Sequence, residues 1–222
     1  MRDKLSKKMQ SIMLKSKIDI KLKIRLVLVL ILVSLLVSCA SMQSNVTSIA
    51  DNVTFDQKLT SEELLQLNKW QAKGVIGIIY NNQAESANYV YAQDGDNFSI
   101  SLYGPLGIGS IEIKGDADEV SLENSKGQKI TAKDAKTLML EQLGWYVPVD
   151  GLKYWIKAIA IPNIKHNTEL NSKGLLSKLS QNGWDISYQN YELVDSKYPL
   201  PAKIRMTREN LILKIIIKSW QI

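Results

Sequence analysis

One cysteine, one histidine, two phenylalanines and five prolines are all that a chain of 222 residues contains of those types. A lone cysteine, Cys39, has no partner for a disulfide within the chain, and a metal site built on clustered cysteines is excluded. The lone histidine, His166, lies between Lys165 and Asn167, so a histidine metal cluster is excluded too. No Gly-x-Ser-x-Gly elbow nominates a serine nucleophile, and no glycine-rich loop is built to cradle phosphate. A carboxylate pair of the kind that cleaves glycosides stays open, because geometry decides it, and Glu112, Glu123 and Asp118 are available. Long apolar runs are missing as well: the longest, Leu26 to Val37, falls short of the roughly 18 to 20 residues that a spanning helix needs.

That short run has a meaning of its own. It follows a basic stretch with Lys15, Lys17, Lys21, Lys23 and Arg25 and ends in Leu36-Val37-Ser38-Cys39, the pattern of a lipoprotein leader cut before a lipid-modified cysteine. An uncleaved anchor with a chance cysteine is the alternative. The expected leader is 1–38, with acylation of Cys39; several acyl chains anchor a protein to a bilayer where one does so only marginally. Acylation removes the only thiol, and with it thiol–histidine catalysis. The leader also explains the charge. It holds nine of the 28 basic and two of the 22 acidic residues, which leaves 19 basic against 20 acidic side chains in place of the overall +6. A balanced mature chain offers no electrostatic footprint for nucleic acid.

The 184 residues after the leader suit one domain. Ser, Asn, Thr and Asp dominate Ala40 to Gln57, so residues 39–58 read as a tether and 59–222 as the folded body. Thr60 and Glu63 have capping-box spacing before Leu64, Leu65 and Leu67, which predicts a short helix. Strands are predicted over 71–80, 85–93, 96–103, 109–115 and 119–124, with Asn81-Asn82, Asp94-Gly95-Asp96 and Gly115-Asp116 as turns. A helix over Thr131 to Leu143 ends at Gly144, and a second follows Pro148 with Asp150 as its cap. Strands return at 174–180, 184–191, 202–207 and 211–220. The order describes an α+β domain with one strongly curved antiparallel sheet and its helices grouped on one face or end.

Tyr103-Gly104-Pro105-Leu106-Gly107-Ile108-Gly109 interrupts two strands with three glycines and a proline, yet carries Leu106 and Ile108 where a turn is normally polar. Such side chains either tuck back onto the core or project toward a membrane or an apolar ligand.

Taken in order, Trp70-Gln71-Ala72-Lys73-Gly74, Gly104-Pro105-Leu106-Gly107, Leu143-Gly144-Trp145 with Pro148, Leu152 and Trp155, Gly183-Trp184 with Tyr188, Leu200-Pro201 and Trp220 resemble the LolB family of outer-membrane lipoproteins. The likeness spans nearly all of the mature chain. It departs at Ala158, where the family's glycine is expected after the Trp155 helix, and at Tyr91, where tryptophan is usual. The resemblance implies an incomplete β-barrel with a lid of short helices, like that of LolA and LolB. It further implies a monomer, neither enzyme nor cofactor-dependent, anchored at the periplasmic face of a Gram-negative outer membrane. Its partners would be the periplasmic carrier LolA and the acyl chains of cargo lipoproteins, which it would insert into that membrane. Leu106, between Pro105 and Gly107, corresponds to the protruding leucine needed for insertion, and Ala40 after Cys39 to the signal for outer-membrane export.

Such a carrier must offer acyl chains an apolar cavity, since each CH₂ removed from water contributes roughly 0.8 kcal/mol. The expected lining is Ile76, Ile78, Val90, Ile100, Leu102, Ile111 and Ile113 from the sheet and Trp145, Leu152 and Trp155 from the lid. The same residues would suit a filled core, as in a structural or adaptor lipoprotein that docks a protein partner without carrying lipid.

Overall fold

Alternation of apolar and polar residues carries the chain into a single antiparallel sheet. The computed structural model describes residues 46–104, 109–116 and 118–222. Within them the first strand, β1 (Val46–Ser48), is followed by helix α1 (Gln57–Leu65). A meander comes next: β2 (Lys69–Tyr80), β3 (Gln83–Asp94), β4 (Asn97–Tyr103), β5 (Ser110–Gly115), β6 (Val120–Asn124) and β7 (Lys129–Ala132). Helices α2 (Ala135–Leu143) and α3 (Val149–Trp155) lead to β8 (His166–Leu170), β9 (Leu176–Gln181), β10 (Trp184–Val194), β11 (Tyr198–Arg208) and β12 (Leu211–Gln221). Among the described residues the sheet has twelve strands in the order β7-β6-β5-β4-β3-β2-β12-β11-β10-β9-β8, with β1 on β10. It is a curved, open sheet: β7 and β8 are its two ends and do not pair.

Pairing register sorts the side chains into two faces, because neighbours across strands point the same way. Ile78 of β2 faces the same side as Leu213 of β12, which pairs with Met206 of β11 and so with Ile186 of β10. In the other direction Ala72 pairs with Tyr91, then Ile100, Ile113 and Leu122. This inner face meets Leu64 and Leu67 at the end of α1, Met139 of α2, and Val149, Trp155 and Ile156 around α3 in one buried cluster. Two aromatic groups hold it. Trp70 stands edge-on to Tyr91 at 4.7 Å and to Trp220 at 5.6 Å, and Trp155 lies 6.1 Å from Trp184.

Tight turns fix the register of the hairpins. Asn81 and Asn82, both with positive φ, join β2 to β3, and Asn182-Gly183, likewise, join β9 to β10; positive φ at both central residues gives the turn whose twist matches paired strands. Gly74 meets a different demand. A Cβ there would stand 1.9 Å from the carbonyl oxygen of Ile216, beside the register shift between Ile217 and Ser219 in β12.

Several local expectations are corrected. Helix α1 starts at Gln57, because the Asp56 carboxylate takes the N–H groups of Lys58 and Leu59 and leaves Thr60 inside the helix. The predicted helix from Thr131 divides into β7 and α2, with Asp134 capping the N–H of Thr137. Helix α3 follows Pro148 with no side-chain cap, and Asp150 lies in its first turn. The segment expected to be a tether contributes β1, and the Lys173 amine holds the carbonyls of Ile49 and Ala50 at 3.0 and 2.8 Å. Strand β11 begins before its prolines: Pro199 and Pro201 pair only with β10, since β12 joins β11 from Lys203 onward. A proline lacks the N–H that a second neighbour would require.

Candidate functional site

Where the inner face runs past the helices, it opens into a cavity of about 630 Å³. Ile78, Tyr80, Ala87, Leu102 and Ile111 form its sheet wall, and Gln142, Leu143 and Trp145 at the end of α2 form the other. Gln83, Glu85, Asn124 and Ser125 add a polar rim. The volume lies in the roughly 300–1,000 Å³ range of small-molecule sites, and an apolar wall with a few polar groups is their usual character. Gly104 and Gly109 belong to the wall as well, tied by a bond in which the Gly104 N–H donates to the Gly109 carbonyl at 3.2 Å. The base of the glycine-rich loop is thus part of the cavity. Pro105, Leu106 and Gly107 lie outside the described residues, as does Cys39.

Of the residues expected to line a cavity, Ile78, Leu102, Ile111 and Trp145 do so here. Ile76 shares their face as cross-strand partner of the lining Ala87, and Ile100 is the partner of Tyr91. Ile113 is buried in a cluster with Val120, Leu122 and Leu138. Leu152 packs at the margin of the main core, and Trp155 is wholly buried within it. Val90 is a correction. It pairs with Lys73 and Ser101, so it faces the opposite side from Tyr89 and Tyr91. Tyr80, Ala87 and Leu143 were missed; the parity of Ile76 and Ile78 along β2 points to Tyr80, while nothing in the sequence singles out Ala87.

A second depression, of about 820 Å³, belongs chiefly to the other face, where Gln221, Gln71, Ala92, Ser99, Lys114 and Ser121 follow one another in register. Lys69, Asp94, Asp116, Glu119 and Lys129 place mixed charge around Trp70, Ala92, Phe98 and Ile222 in its lining. None of the carboxylates weighed for glycoside chemistry lines either depression. Glu112 and Glu123 are cross-strand neighbours with Lys114 at 2.8 Å from Glu112. Asp118 is exposed in the turn after β5.

Buried polar groups concentrate beneath the helices. The Lys157 amine donates to the carbonyls of Leu64 and Leu67 at 2.7 and 3.0 Å, at the C-terminal end of α1. Burial, helped by the nearby charge of Lys153, pushes its pKa down to about 8. Tyr91 donates to Gln93 at 3.1 Å and Tyr191 to the Leu176 carbonyl at 2.8 Å. The hydroxyls of Tyr89 and Tyr188 and the indole N–H of Trp184 are buried without a partner among the described residues.

Comparison with known proteins bears on this arrangement. The sequence model of the family described as "Outer membrane lipoprotein LolB" matches residues 68–220, which contain the cavity and nearly all of the sheet. Outer-membrane lipoprotein LolB of Francisella tularensis subsp. novicida (strain U112) is 72% identical over 210 residues, covering 95% of this chain and all of the relative. The protein of the same name from Nitrosococcus oceani is 32% identical over 189 residues, covering 85% of this chain and 92% of that one. Among solved structures, a Vibrio parahaemolyticus domain titled as an outer membrane lipoprotein-sorting protein superposes with a TM-score of 0.50. It covers 73% of this chain and 90% of its own at 8% identity, a likeness of fold. The family match, the two relatives and the open curved sheet agree, and the chain belongs to the LolB family of outer-membrane lipoproteins.

Proposed function

We propose that this protein, anchored by an acylated Cys39 at the periplasmic face of the outer membrane, takes lipoproteins from the carrier LolA and inserts them into that membrane. The observation that carries the proposal is the apolar cavity whose wall includes both ends of the glycine-rich loop. An acyl chain in that cavity is shielded from water at roughly 0.8 kcal/mol per CH₂, so transfer from one carrier to the next needs tighter binding at the receiver and no covalent step. The bilayer then accepts the chain more favourably still. Leu106, the apolar residue between Pro105 and Gly107, is assigned the membrane-directed role because the loop that carries it starts and ends at the cavity wall.

The test mixes the chain lacking its first 39 residues with a donor carrier loaded with labelled lipoprotein. Pull-down should show the label moving to the receiver; no transfer to a folded receiver would favour an adaptor that carries no lipid. Leu106→Glu should then accept label as before and fail to deliver it to vesicles. Equal delivery would remove Leu106 from the mechanism.

A further inference from the structure

The outer face of the sheet concentrates positive charge that the mature chain as a whole lacks. Basic and acidic side chains balance after the leader, at 19 against 20. Yet Lys73 of β2, Lys214 and Lys218 of β12, and Lys203 and Arg205 of β11 are all exposed on three adjoining strands. Arg205 and Lys214 are cross-strand partners, Lys203 is the next residue on the same face of β11, and Lys73 pairs with Ser219 beside Lys218. None of the five has an ion pair among the described residues. The carboxylates on the strands beyond β11 are engaged elsewhere: Asp185 accepts from the Ser180 hydroxyl at 2.6 Å, and Glu169 pairs with Lys178 at 2.9 Å. Like charges directly opposite one another weaken a sheet, so Arg205 against Lys214 carries a cost that an anionic partner would offset.

Two further observations say what that partner is. Ile216 stands among these cations, 46% exposed, with Lys203 and Val75 as its cross-strand neighbours. From Val75 the same row continues through Asn88 to Tyr103, the residue before Gly104 at the base of the glycine-rich loop. Three strand spacings of about 4.8 Å separate Tyr103 from Ile216, roughly 14 Å. On the other side of the patch, β10 neighbours β11 and carries β1, whose Val46 pairs with Val194. Cys39 lies seven residues ahead of Val46, a reach of at most about 25 Å. Val194 is five residues beyond Gln189, the partner of Lys203, which is about 17 Å along the strand. The basic face therefore lies within range of the proposed anchor on one side and of the proposed membrane loop on the other. An acidic protein surface would match the charge alone, whereas a bilayer matches the charge, the exposed Ile216 and both neighbours.

We propose that the outer face of β11 and β12 lies against the anionic phospholipid headgroups of the membrane, with Lys203, Arg205 and Lys214 meeting the phosphates around Ile216. This rests on the proposed anchoring through Cys39 and adds an orientation to it: these strands lie along the bilayer, and their inner face is turned away from it.

The experiment uses the mature chain from residue 39 with Cys39→Ala, so that no acyl group of its own holds it to a bilayer. Sedimentation measures its binding to vesicles of phosphatidylcholine, with and without about a quarter phosphatidylglycerol. The protein should bind the anionic vesicles at least tenfold more tightly, and raised salt should remove the difference. Three basic side chains near an anionic surface, at roughly a factor of five each, are enough to carry that preference. Lys203→Gln, Arg205→Gln and Lys214→Gln together should bring the ratio close to one. A control with Lys126→Gln, Lys133→Gln and Lys165→Gln loses the same charge from turns elsewhere and should keep it. All six side chains are exposed, so both variants should melt with the parent.

Equal binding of the parent to both vesicles, or a preference lost as fully in the control, would overturn the inference. Neither result touches the carrier reading, which label transfer from the loaded donor decides without vesicles. In that assay, loss of transfer by the first variant with its vesicle preference intact would assign the face to an acidic protein surface and overturn its assignment to the membrane. A parent that takes no label yet prefers anionic vesicles through these three residues would remove the carrier reading and support the membrane face.

Discussion

The indole N–H of Trp155 donates to the side-chain oxygen of Gln181 at 2.9 Å, where neither residue is open to water. The same oxygen accepts from the Ile161 N–H at 2.8 Å, and the Gln181 amide donates to the carbonyls of Ile161 and Ile164 at 3.0 and 3.2 Å. One side chain therefore fixes α3 and the chain that follows it to β9. Gln181→Leu leaves the N–H groups of Trp155 and Ile161 and the Ile161 carbonyl without it, and at about 1–3 kcal/mol for each group left unpaired away from water, a loss of about 3 kcal/mol or more is expected. Urea unfolding measures it.

Ala158 occupies a position that favours glycine. It has φ 56°, its N–H donates to the Trp155 carbonyl at 3.0 Å, and the Ile159 N–H reaches the Tyr154 carbonyl at 3.3 Å. This is the left-handed close of a helix, in which a Cβ is strained. The family's glycine is expected at this point, so the departure seen in the sequence is a local strain in the fold. Ala158→Gly should raise stability by about 1 kcal/mol despite the added freedom of the unfolded chain. Thermal melting of the two proteins side by side is sufficient.

Leu102 and Val90 provide a matched pair for the cavity. Leu102→Trp places a larger ring in the lined space and should weaken binding of a fluorescent acyl probe at least tenfold. Val90→Ala, on the other face, should leave it within twofold. Both are read in one titration series, and equal effects would argue that probe binding lies elsewhere.

Lys157 gives the protein a pH dependence in an unusual window. Its pKa is lowered from 10.5 to about 8 in the folded state, so between those values the unfolded chain holds the proton more firmly. Stability then rises with pH across that window, by on the order of 3 kcal/mol in total, and the penalty is present in full below it. Lys157→Met should flatten the rise. Chemical denaturation at pH 7.5, 9 and 10.5 for both proteins resolves the difference.

What could be read in the sequence follows from how strongly each segment alternates. Strands β2, β4, β5 and β12 place apolar side chains on every second residue, so their existence and their apolar face were legible, while which face lines a cavity was not. Tyr89-Val90-Tyr91 is apolar on both sides of the pleat, which left its facing to register and made Val90 a wrong choice. Strand β8 is exposed at every residue and has no apolar period to find, and β1 pairs with a strand some 145 residues away. Asp56 and Thr60 were both possible caps, and only the direction of a carboxylate separates them. The cavity was half legible: the apolar face is in the sequence, but whether α2 fills it or stops short depends on where Leu143 and Trp145 come to rest.

Among the described residues the ends of the sheet, β7 and β8, stay unpaired, and for the proposed carrier role this changes the geometry of loading. A ring of strands joined all the way round has to be threaded, and a hydrocarbon tail attached to a folded protein could enter only by its free tip. A trough can be filled from the side. An acyl chain of the proposed cargo would be laid in along its length and lifted out the same way, with the bulky head outside throughout and no strand bond broken.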